Sequence, residues 1–476
     1  MDKVNEYNPL YIVDSAINDA LKKQYNAIPH NEVLEQLSLS IERIDFRKEA
    51  DLEEGEKLHT KHYVVLSIDA ITKTAKRHKW QIARNNGFVY LYNGAYWLAF
   101  DREKLQSFFG ECAEKLGVNH IDAKHHVFRL HLEKQFDAVG YFPTPEPVDG
   151  VTLINVLNGT MELTRNAPKL RPPSASDFLK YQLQFPYLPT ATAPKWEAFL
   201  NRVQPNKEVQ MVMQEFIGYV FTDLNLETVL LLYGSGANGK SVFIDVISAM
   251  LGADNVSFYS LQSLTANESY SRANLANKLL NCANEISGKL QSDIFKQLGS
   301  GQPVEARIIY KEPFIMTKYA KLLFACNELP KEVEQTNGFF RRWKVIPFEQ
   351  TIPQSEQNIN LAKDIIRDEL SGVFNWALEG LQRLIKNNKF THCQAIDDQN
   401  NEFRRQSDSV AVFVDDKEYK PGNAMDMPLK QMFESYRAFC LESGFHAVSI
   451  RKFAERLRSH GFQLEKKSIG QVVYFS

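Results

Sequence analysis

Eight consecutive residues near the middle of the chain have the types and spacing that bind nucleotide phosphates. They match G-x-x-x-x-G-K-[ST] at every fixed position and comprise Gly234, Ser235, Gly236, Ala237, Asn238, Gly239, Lys240 and Ser241. The glycines let the backbone curl so that successive N–H groups point at phosphate oxygens. Lys240 would reach the β- and γ-phosphates, and Ser241 would ligate Mg²⁺. This phosphate loop (residues 234–241) predicts binding of a nucleoside triphosphate.

The flanking residues indicate the elements that would position this loop. Residues 228–233 form an apolar run that favours a β-strand, and residues 242–251 form an amphipathic stretch that favours a helix. A strand, a glycine loop and a helix are the arrangement that phosphate binding requires. The N-terminus of the helix would add a partial positive charge.

An acidic candidate follows the next apolar segment. Residues 278–283 predict a strand that ends in Asn284 and Glu285. Glu285 has the chemistry to polarise an attacking water and to support the Mg²⁺ shell. Asn284 stands where an aspartate would help to hold the metal, and because an amide carries no charge we expect weaker metal support. An ordinary carboxylate at a strand end is the alternative for Glu285.

A polar residue ends the following predicted strand. Residues 321–326 are typical of a buried strand, and Asn327 comes directly after them. A polar side chain at this place could sense the γ-phosphate or position water. A strand-end asparagine that only forms a turn is the alternative.

Two adjacent arginines precede a further apolar run. Arg341 and Arg342 could supply an arginine finger, because a planar guanidinium suits bidentate contact with phosphate. A finger that reaches a neighbouring subunit requires an oligomer. Ordinary surface charge is the alternative, and the sequence does not distinguish which arginine would act.

A basic hairpin is predicted between the Glu285 and Asn327 strands. Residues 304–310 and 314–317 read as its two arms, with Arg307 on the first arm and Tyr310 and Lys311 at the tip. Residues 296–346 contain nine Lys and Arg against five Asp and Glu. An aromatic ring and a cation on a projecting loop suit a single-stranded nucleic acid. A solvated hairpin is the alternative.

Taken in order, these motifs resemble the superfamily III helicases of viruses, phages and plasmids, and most closely the phage and plasmid primase–helicase type, to which the poxvirus ATPases are similar. The likeness covers about residues 80–476. It implies an AAA+-like ATPase that forms a ring, usually a hexamer, with ATP and Mg²⁺ between subunits and DNA in the pore. It implies that Glu285 activates water, that Asn327 is the sensor, that Arg341 or Arg342 is the finger, and that Lys311 contacts DNA.

The C-terminal residues predict a small separate unit. Two helices are expected over residues 428–441 and 449–459, followed by strands at 462–464 and 472–475, which is a winged-helix pattern. Arg451 and Lys452, with Arg456 and Arg458, make the second helix basic, and such a helix could enter the major groove of DNA. A solvated basic face on an interaction module is the alternative.

We therefore expect an α/β protein with an AAA+-like P-loop ATPase core, a mixed α/β domain before it and a winged-helix-like domain after it. The expected segments are a helical extension, the mixed domain, the core, a helical segment and the winged-helix-like domain, at residues 1–60, 61–200, 201–350, 351–405 and 406–476. Hairpins are expected around Asn93-Gly94 and Asn158-Gly159. A helix over residues 360–386 is expected to be interrupted near Ser371-Gly372.

Composition narrows the class of protein. The net charge of −2 over 476 residues leaves only local patches for nucleic acid. Five scattered cysteines argue against a zinc site or a disulfide frame, and no apolar run approaches the roughly 20 residues of a membrane helix. We expect a cytoplasmic protein of a bacterial host or phage-infected cell. No paired carboxylates indicate a primase centre, and His125, His126 and His131 are read as an ordinary strand face.

The leading hypothesis is an ATP-hydrolysing DNA helicase for replication of a phage, plasmid or other mobile element. Its expected partners are DNA, further copies of the chain and a separate primase or polymerase, with no membrane. A nucleotide-switched DNA-binding or origin-assembly ATPase with little unwinding activity is the alternative. A small-molecule kinase would leave the basic hairpin and the paired arginines without a purpose.

Overall fold

The computed structural model describes residues 27–476 except 86, 147, 149, 166, 167, 269, 285, 287–289, 310, 311, 331, 332 and 469. Three candidate site residues, Glu285, Tyr310 and Lys311, therefore lie outside the described residues. The chain divides into two compact units, Met1–Ala191 and Thr192–Ser476. Both contain helices and sheets, which confirms the mixed α/β class.

Helices build the main core of the first unit. They are α1 (His30–Leu39), α2 (Phe46–Glu49), α3 (Thr60–Arg77), α4 (Arg102–Leu116), α5 (His120–Lys124) and α6 (His126–Val139). Their apolar stripes meet in one cluster that includes Leu37, Ile68, Phe109 and Leu132. The three histidines lie at the start of α6 and within it, so reading them as a strand face was wrong.

Three antiparallel strands lie between α3 and α4 in the chain: β1 (Gln81–Asn85), β2 (Phe88–Tyr92) and β3 (Trp97–Phe100). The predicted hairpin between β2 and β3 is confirmed, but its loop has four residues because Tyr92 pairs with Trp97. Asn93 Oδ1 accepts hydrogen bonds from the backbone N–H groups of Ala95 and Tyr96, each at 3.0 Å. An asparagine side chain that bonds the following backbone stabilises such a turn.

The second sheet contains β4 (Thr152–Val156), β5 (Gly159–Leu163) and β6 (Lys169–Arg171). Val156 pairs with Gly159, so the turn residues are Leu157 and Asn158 rather than Asn158-Gly159. A Cβ atom at Gly159 would lie 2.5 Å from the carbonyl oxygen of Arg171. The glycine is thus needed inside the strand, where β6 approaches closely.

The second unit is built around a parallel sheet. The first seven strands of this unit are β7 (Val229–Tyr233), β8 (Val256–Ser257), β9 (Leu280–Ala283), β10 (Val304–Ala306), β11 (Phe314–Met316), β12 (Lys321–Cys326) and β13 (Trp343–Pro347). Five of them form the parallel sheet in the order β13-β7-β12-β9-β8, and β10 and β11 pair antiparallel, as the predicted hairpin requires. Val229 to Leu232 are fully buried, as expected for a parallel sheet covered on both faces.

Helices cover this sheet. They are α7 (Pro194–Val203), α8 (Lys207–Tyr219), α9 (Lys240–Leu251), α10 (Leu261–Thr265), α11 (Tyr270–Ala273), α12 (Ser292–Gly299), α13 (Asn337–Phe340), α14 (Leu361–Asp368), α15 (Leu370–Asn387) and α16 (Gln394–Gln406). Helices α8 and α15 approach closely at Gly380, where a Cβ atom would lie 2.4 Å from the carbonyl oxygen of Gln214. The buried Glu215 carboxylate accepts from Arg383 across the same contact at 2.5 Å.

The interruption expected near Ser371-Gly372 falls instead at Glu369, between α14 and α15. The Glu369 carboxylate accepts hydrogen bonds from the backbone N–H groups of Lys195 and Trp196, each at 3.0 Å, and so caps the start of α7. Gly372 is helical, and a Cβ atom there would lie 2.3 Å from the carbonyl oxygen of Thr192. This glycine therefore permits close packing and does not end the helix.

The last part of the second unit contains α17 (Ser409–Asp416), β14 (Met425–Pro428), α18 (Leu429–Ser443), α19 (Ile450–Ser459), β15 (Gln463–Lys467) and β16 (Gly470–Phe475). The two helices and two strands expected here are present. Strand β14 was not predicted, and it pairs with β16 to complete a three-stranded sheet. Within the described ranges, no helix combines the length and the apolar character needed to cross a membrane.

Candidate nucleotide-binding site

The phosphate loop connects β7 to α9 at the edge of the parallel sheet where the strands end, here called the carboxyl edge. Gly236, Ala237 and Gly239 have φ angles of +104°, +48° and +89°, which turn the backbone sharply between strand and helix. Open α/β sheets bind ligands at this edge, because the loops and helix N-termini meet there. The described geometry is therefore the one that the motif predicts.

Two glycines of the loop are required by close packing. A Cβ atom at Gly234 would lie 2.3 Å from the carbonyl oxygen of Phe348, and one at Gly239 would lie 2.8 Å from a ring carbon of Phe199. The buried Asn238 side chain donates a hydrogen bond to the same Phe348 oxygen at 2.8 Å. The Asn238 side chain thus ties the loop to the residue that follows β13.

Lys240 lies at the centre of the site. It is only 8% exposed, and its Nζ atom donates to Gly234 O at 2.6 Å, to Asn238 Oδ1 at 3.1 Å and to Asn327 Oδ1 at 3.1 Å. Burial lowers the pKa of Lys240 below its usual value. Among the described residues its hydrogen-bond acceptors are neutral oxygens, and a buried cation held in this way favours an anionic ligand.

Asn327 reaches Lys240 because β12 lies beside β7. Cys326, the last residue of β12, is level with Tyr233, the last residue of β7, so the residues that follow both strands are neighbours. The structure therefore brings together two of the predicted site residues that are far apart in the sequence. Asn284 follows β9 at the same edge and is exposed to solvent.

The residues present fit a magnesium–nucleotide complex. Ser241 lies exposed in the first turn of α9. In the part of the chain that the structure describes, no group of three or more His, Cys, Asp or Glu could hold a metal ion. Magnesium that accompanies a nucleotide needs few protein ligands, since phosphates and waters supply the others. Ser241 and Glu285 remain the candidate ligands.

The paired arginines lie at the opposite edge of the sheet, where the strands begin, here called the amino edge. Arg342 is 8% exposed; its Nε donates to Ser300 Oγ at 2.8 Å, and its Nη1 donates to the carbonyl oxygen of Gly338. Arg341 is 60% exposed, and its Nη2 lies 2.5 Å from Glu227 Oε2. The structure thus gives the two arginines different environments, and it adds Glu227, which no sequence pattern indicated.

The nucleic-acid candidates also occupy different environments. Arg307 follows β10 and is exposed, with its guanidinium carbon 5.9 Å from the centre of the Tyr270 ring. On α19, Arg451 is 89% exposed and Lys452 is exposed. Arg456 on the same helix points inward, because its Nη1 lies 2.9 Å from the buried Asp408 carboxylate. Arg458 is exposed as well, so Arg451, Lys452 and Arg458 are the accessible basic residues on that helix.

Two family models match separate parts of the chain. The family described as D5 N terminal like matches residues 68–205, and a family of unknown function, DUF5906, matches residues 232–342. The second match runs from β7 to the paired arginines, so it contains the phosphate loop and Asn327.

Viral proteins show sequence similarity over parts of the chain. A candidate helicase of Acanthamoeba polyphaga mimivirus, L207/L206, is 31% identical over 176 residues, which cover 35% of this chain and 18% of that protein. A candidate helicase of Invertebrate iridescent virus 3, 121R, is 22% identical over 314 residues, which cover 56% of this chain and 33% of that protein. The chain therefore spans a third or less of the lengths of these relatives.

Solved structures of the apo C-terminal region of NrS-1 also align with the chain. One covers 85% of this chain and 98% of its own length at 11% identity, with a TM-score of 0.45, and another covers 89% and 99% at 10% identity, with a TM-score of 0.43. That likeness is too distant to transfer any structural detail. The match to the D5 N terminal like family and the similarity to the two viral candidate helicases support a likeness of the chain to proteins of the phage and viral primase–helicase type.

Proposed function

We propose that the chain is the ATP-driven motor of a ring-forming DNA helicase, which unwinds DNA for the replication of a phage, plasmid or other mobile element. The observation that carries the proposal is the buried Lys240 at the carboxyl edge, held between the phosphate loop and Asn327. An AAA+-like ATPase core binds ATP at such a site. The relatives named as helicases favour DNA unwinding as the process that ATP hydrolysis would drive.

Each residue of the site has a definite task in this proposal. When ATP binds, the Lys240 ammonium group leaves its protein hydrogen-bond acceptors and contacts the β- and γ-phosphate oxygens instead. Ser241 holds Mg²⁺, which when bound neutralises phosphate charge. Glu285 orients the attacking water, and Asn327 positions that water or the terminal phosphate. The exposed Asn327 amide contacts Lys240. Because Lys240 would turn to the phosphates when ATP binds, the Asn327 amide would then be available to the ligand as well.

The arginines can act only on the nucleotide of another copy. Strand β7 has five residues, so about 16 Å separates the amino edge from the carboxyl edge at about 3.3 Å per residue. Arg341 therefore cannot reach the phosphate loop of its own chain. Because Arg341 is exposed and Arg342 is fixed internally, we assign the finger to Arg341. A finger supplied between copies implies a closed ring, and we propose a hexamer.

DNA contacts are proposed at two places in the second unit. The β10–β11 hairpin carries Arg307, Tyr310 and Lys311, whose cations and aromatic ring suit a single strand in the pore. The C-terminal helices and strands would form a winged helix, in which Arg451 and Lys452 contact duplex phosphates. A separate primase or polymerase would then use the unwound strand.

Asn284 favours a second candidate function. An amide at this position supports the metal less than a carboxylate would, so hydrolysis could be slow. The chain would then act as a nucleotide-switched assembly on DNA with little unwinding activity.

ATP turnover with and without single-stranded DNA, together with unwinding of a forked duplex, tests the proposal. We expect stimulated multiple turnover and unwinding, both abolished in Lys240→Ala. We also expect Lys311→Ala to keep basal turnover and to lose stimulation by DNA. Slow single turnover without unwinding would favour the assembly function, and equal turnover of an isolated monomer regardless of DNA would contradict both functions.

A further inference from the structure

Glu227 connects the exposed arginine to the buried one. Its Oε2 atom lies 2.5 Å from Arg341 Nη2 and 3.5 Å from Arg342 Nη2. Arg342 is also held by Ser300 and Gly338, so it stays in place without Glu227. Arg341 is mostly exposed, and the described residues show Glu227 as its ion-pair partner. Loss of the Glu227 carboxylate would therefore release Arg341 and leave Arg342 fixed.

The backbone at Glu227 indicates that its carboxylate matters. Its φ angle is +45°, a left-handed conformation that glycine and asparagine adopt more easily than glutamate. The Glu227 N–H donates to Asn225 Oδ1 at 3.4 Å, and the preceding Leu226 N–H donates to the Tyr219 hydroxyl at 3.1 Å. Side-chain hydrogen bonds thus hold this turn, and a glutamate at a position that suits glycine points to a use for the side chain.

We propose that Glu227 is a positioning residue. It holds Arg341 in an ion pair in the free subunit, here called the reservation of Arg341, and releases this arginine to the nucleotide of the next copy. The inference rests on the proposed function, in which Arg341 is the finger. A carboxylate and a terminal phosphate compete for the same guanidinium face. An ion pair between exposed side chains is weak, so it keeps Arg341 occupied without preventing the exchange.

This arrangement makes the amino edge of the sheet a surface that fits a second copy of the chain. In the free subunit the Glu227 carboxylate occupies the Arg341 guanidinium, so other anions bind there less favourably than they would at an unpaired arginine. When a neighbour presents ATP, the more highly charged phosphate replaces the carboxylate. Assembly then costs the free energy of the Glu227–Arg341 ion pair, which must break.

The test is Glu227→Gln in the full chain, with ATP turnover measured over a range of protein concentrations. Glutamine keeps the shape of the side chain and removes its charge. We expect half-maximal turnover per subunit at a protein concentration about threefold to fivefold lower than for the wild type, because the competing ion pair is lost. The maximal turnover per subunit should stay close to the wild-type value.

Asp223→Asn is the matched control, because Asp223 is an exposed carboxylate that pairs with Lys318 at 2.9 Å. It should leave the concentration curve unchanged. If Glu227→Gln does not fold, Glu227→Asn suits the left-handed conformation and should give the same shift. A curve that is unchanged or moves to higher concentration in the folded variant overturns the proposal.

Arg341→Ala separates this inference from the function on which it rests. Loss of turnover at every protein concentration supports Arg341 as the finger, whatever Glu227→Gln does. Wild-type turnover in Arg341→Ala would contradict the finger and the reservation together. Loss of turnover in Arg341→Ala, together with an unshifted concentration curve in Glu227→Gln, would contradict the reservation alone.

Discussion

The Lys240 Nζ atom donates a 3.1 Å hydrogen bond to Asn327 Oδ1, although the two residues lie 87 positions apart in the chain. The contact exists because β7 and β12 are parallel neighbours that end at the same level. It joins the cation of the phosphate loop to the polar residue that follows the adjacent strand. The same two side chains would meet the terminal phosphate of a bound nucleotide.

We expect Asn327→Ala to lower ATP turnover by about hundredfold to thousandfold, the range seen when one preorganised hydrogen-bonding group is removed from an active site. ATP binding should change little, because Lys240 and the phosphate loop remain available to the β- and γ-phosphates. Steady-state turnover and binding of a fluorescent ATP analogue would measure the two effects separately.

Lys240→Ala provides the control for that measurement. Because it should abolish turnover, it sets the background rate, and the turnover that remains in Asn327→Ala should lie measurably above it. Full turnover in Asn327→Ala would show that this asparagine only forms a turn.

Arg456→Ala should destabilise the C-terminal part of the second unit by about 3 kcal/mol, because it removes one partner of a buried ion pair. Burial opposes ionisation of Asp408, but the hydrogen bond from His460 and the charge of Arg456 outweigh it and hold the pKa of Asp408 below its usual value. Urea unfolding followed by circular dichroism would measure the loss of stability.

Arg451→Ala is the matched variant on the same helix. Arg451 pairs only loosely with Glu455, at 3.4 Å, so the free energy of unfolding should change by less than about 0.5 kcal/mol. Its affinity for duplex DNA should fall, and the salt dependence of binding should become shallower. If Arg456→Ala lost DNA affinity at unchanged stability, the inward assignment of Arg456 would be wrong.

Lys321 should make the stability of the second unit depend on pH. Its Nζ atom donates to Leu224 O at 2.9 Å and lies 3.9 Å from the centre of the Tyr219 ring. Desolvation lowers the pKa of Lys321 to about 8, against the opposing charge of Asp223. Below this pH the lysine is charged in both states, and the folded state carries the cost of burying it.

As pH rises from about 8 toward the ordinary lysine value of 10.5, the folded state loses its proton before the unfolded state does. Stability therefore rises with pH in this window. Relative to Lys321→Met, the wild type should gain about 3 kcal/mol between pH 7 and pH 10.5. Parallel urea titrations of both proteins would measure the gain, and equal pH slopes would contradict it.

Much of the local structure was predictable because it depends on contiguous residues. The apolar run before Gly234 and the amphipathic run after Ser241 gave the strand and helix on either side of the loop. The hairpin of β10 and β11 was predicted from its two short arms, residues 304–310 and 314–317. Strand β14 was missed because its residues, Met425–Pro428, are partly polar and form a strand only by pairing with β16.

The errors at turns and breaks have a common cause. Gly159 and Gly372 were read as chain-reversing or helix-ending residues, yet each is needed where a backbone from elsewhere in the chain comes close. The break in the helix falls at Glu369, whose carboxylate caps a different helix. Contacts of this kind join residues far apart in the sequence, so local patterns carry no signal for them.

The sequence by itself determined the phosphate loop, the strand that ends before Asn327 and the presence of two arginines, since motif spacing and hydrophobic periodicity depend on neighbouring residues. Only the tertiary structure decided that Arg342 is buried, that Arg341 meets Glu227 and that Arg456 points inward. Burial and ion pairing depend on which distant segments fold against a side chain. The strand order of the sheet sets that arrangement.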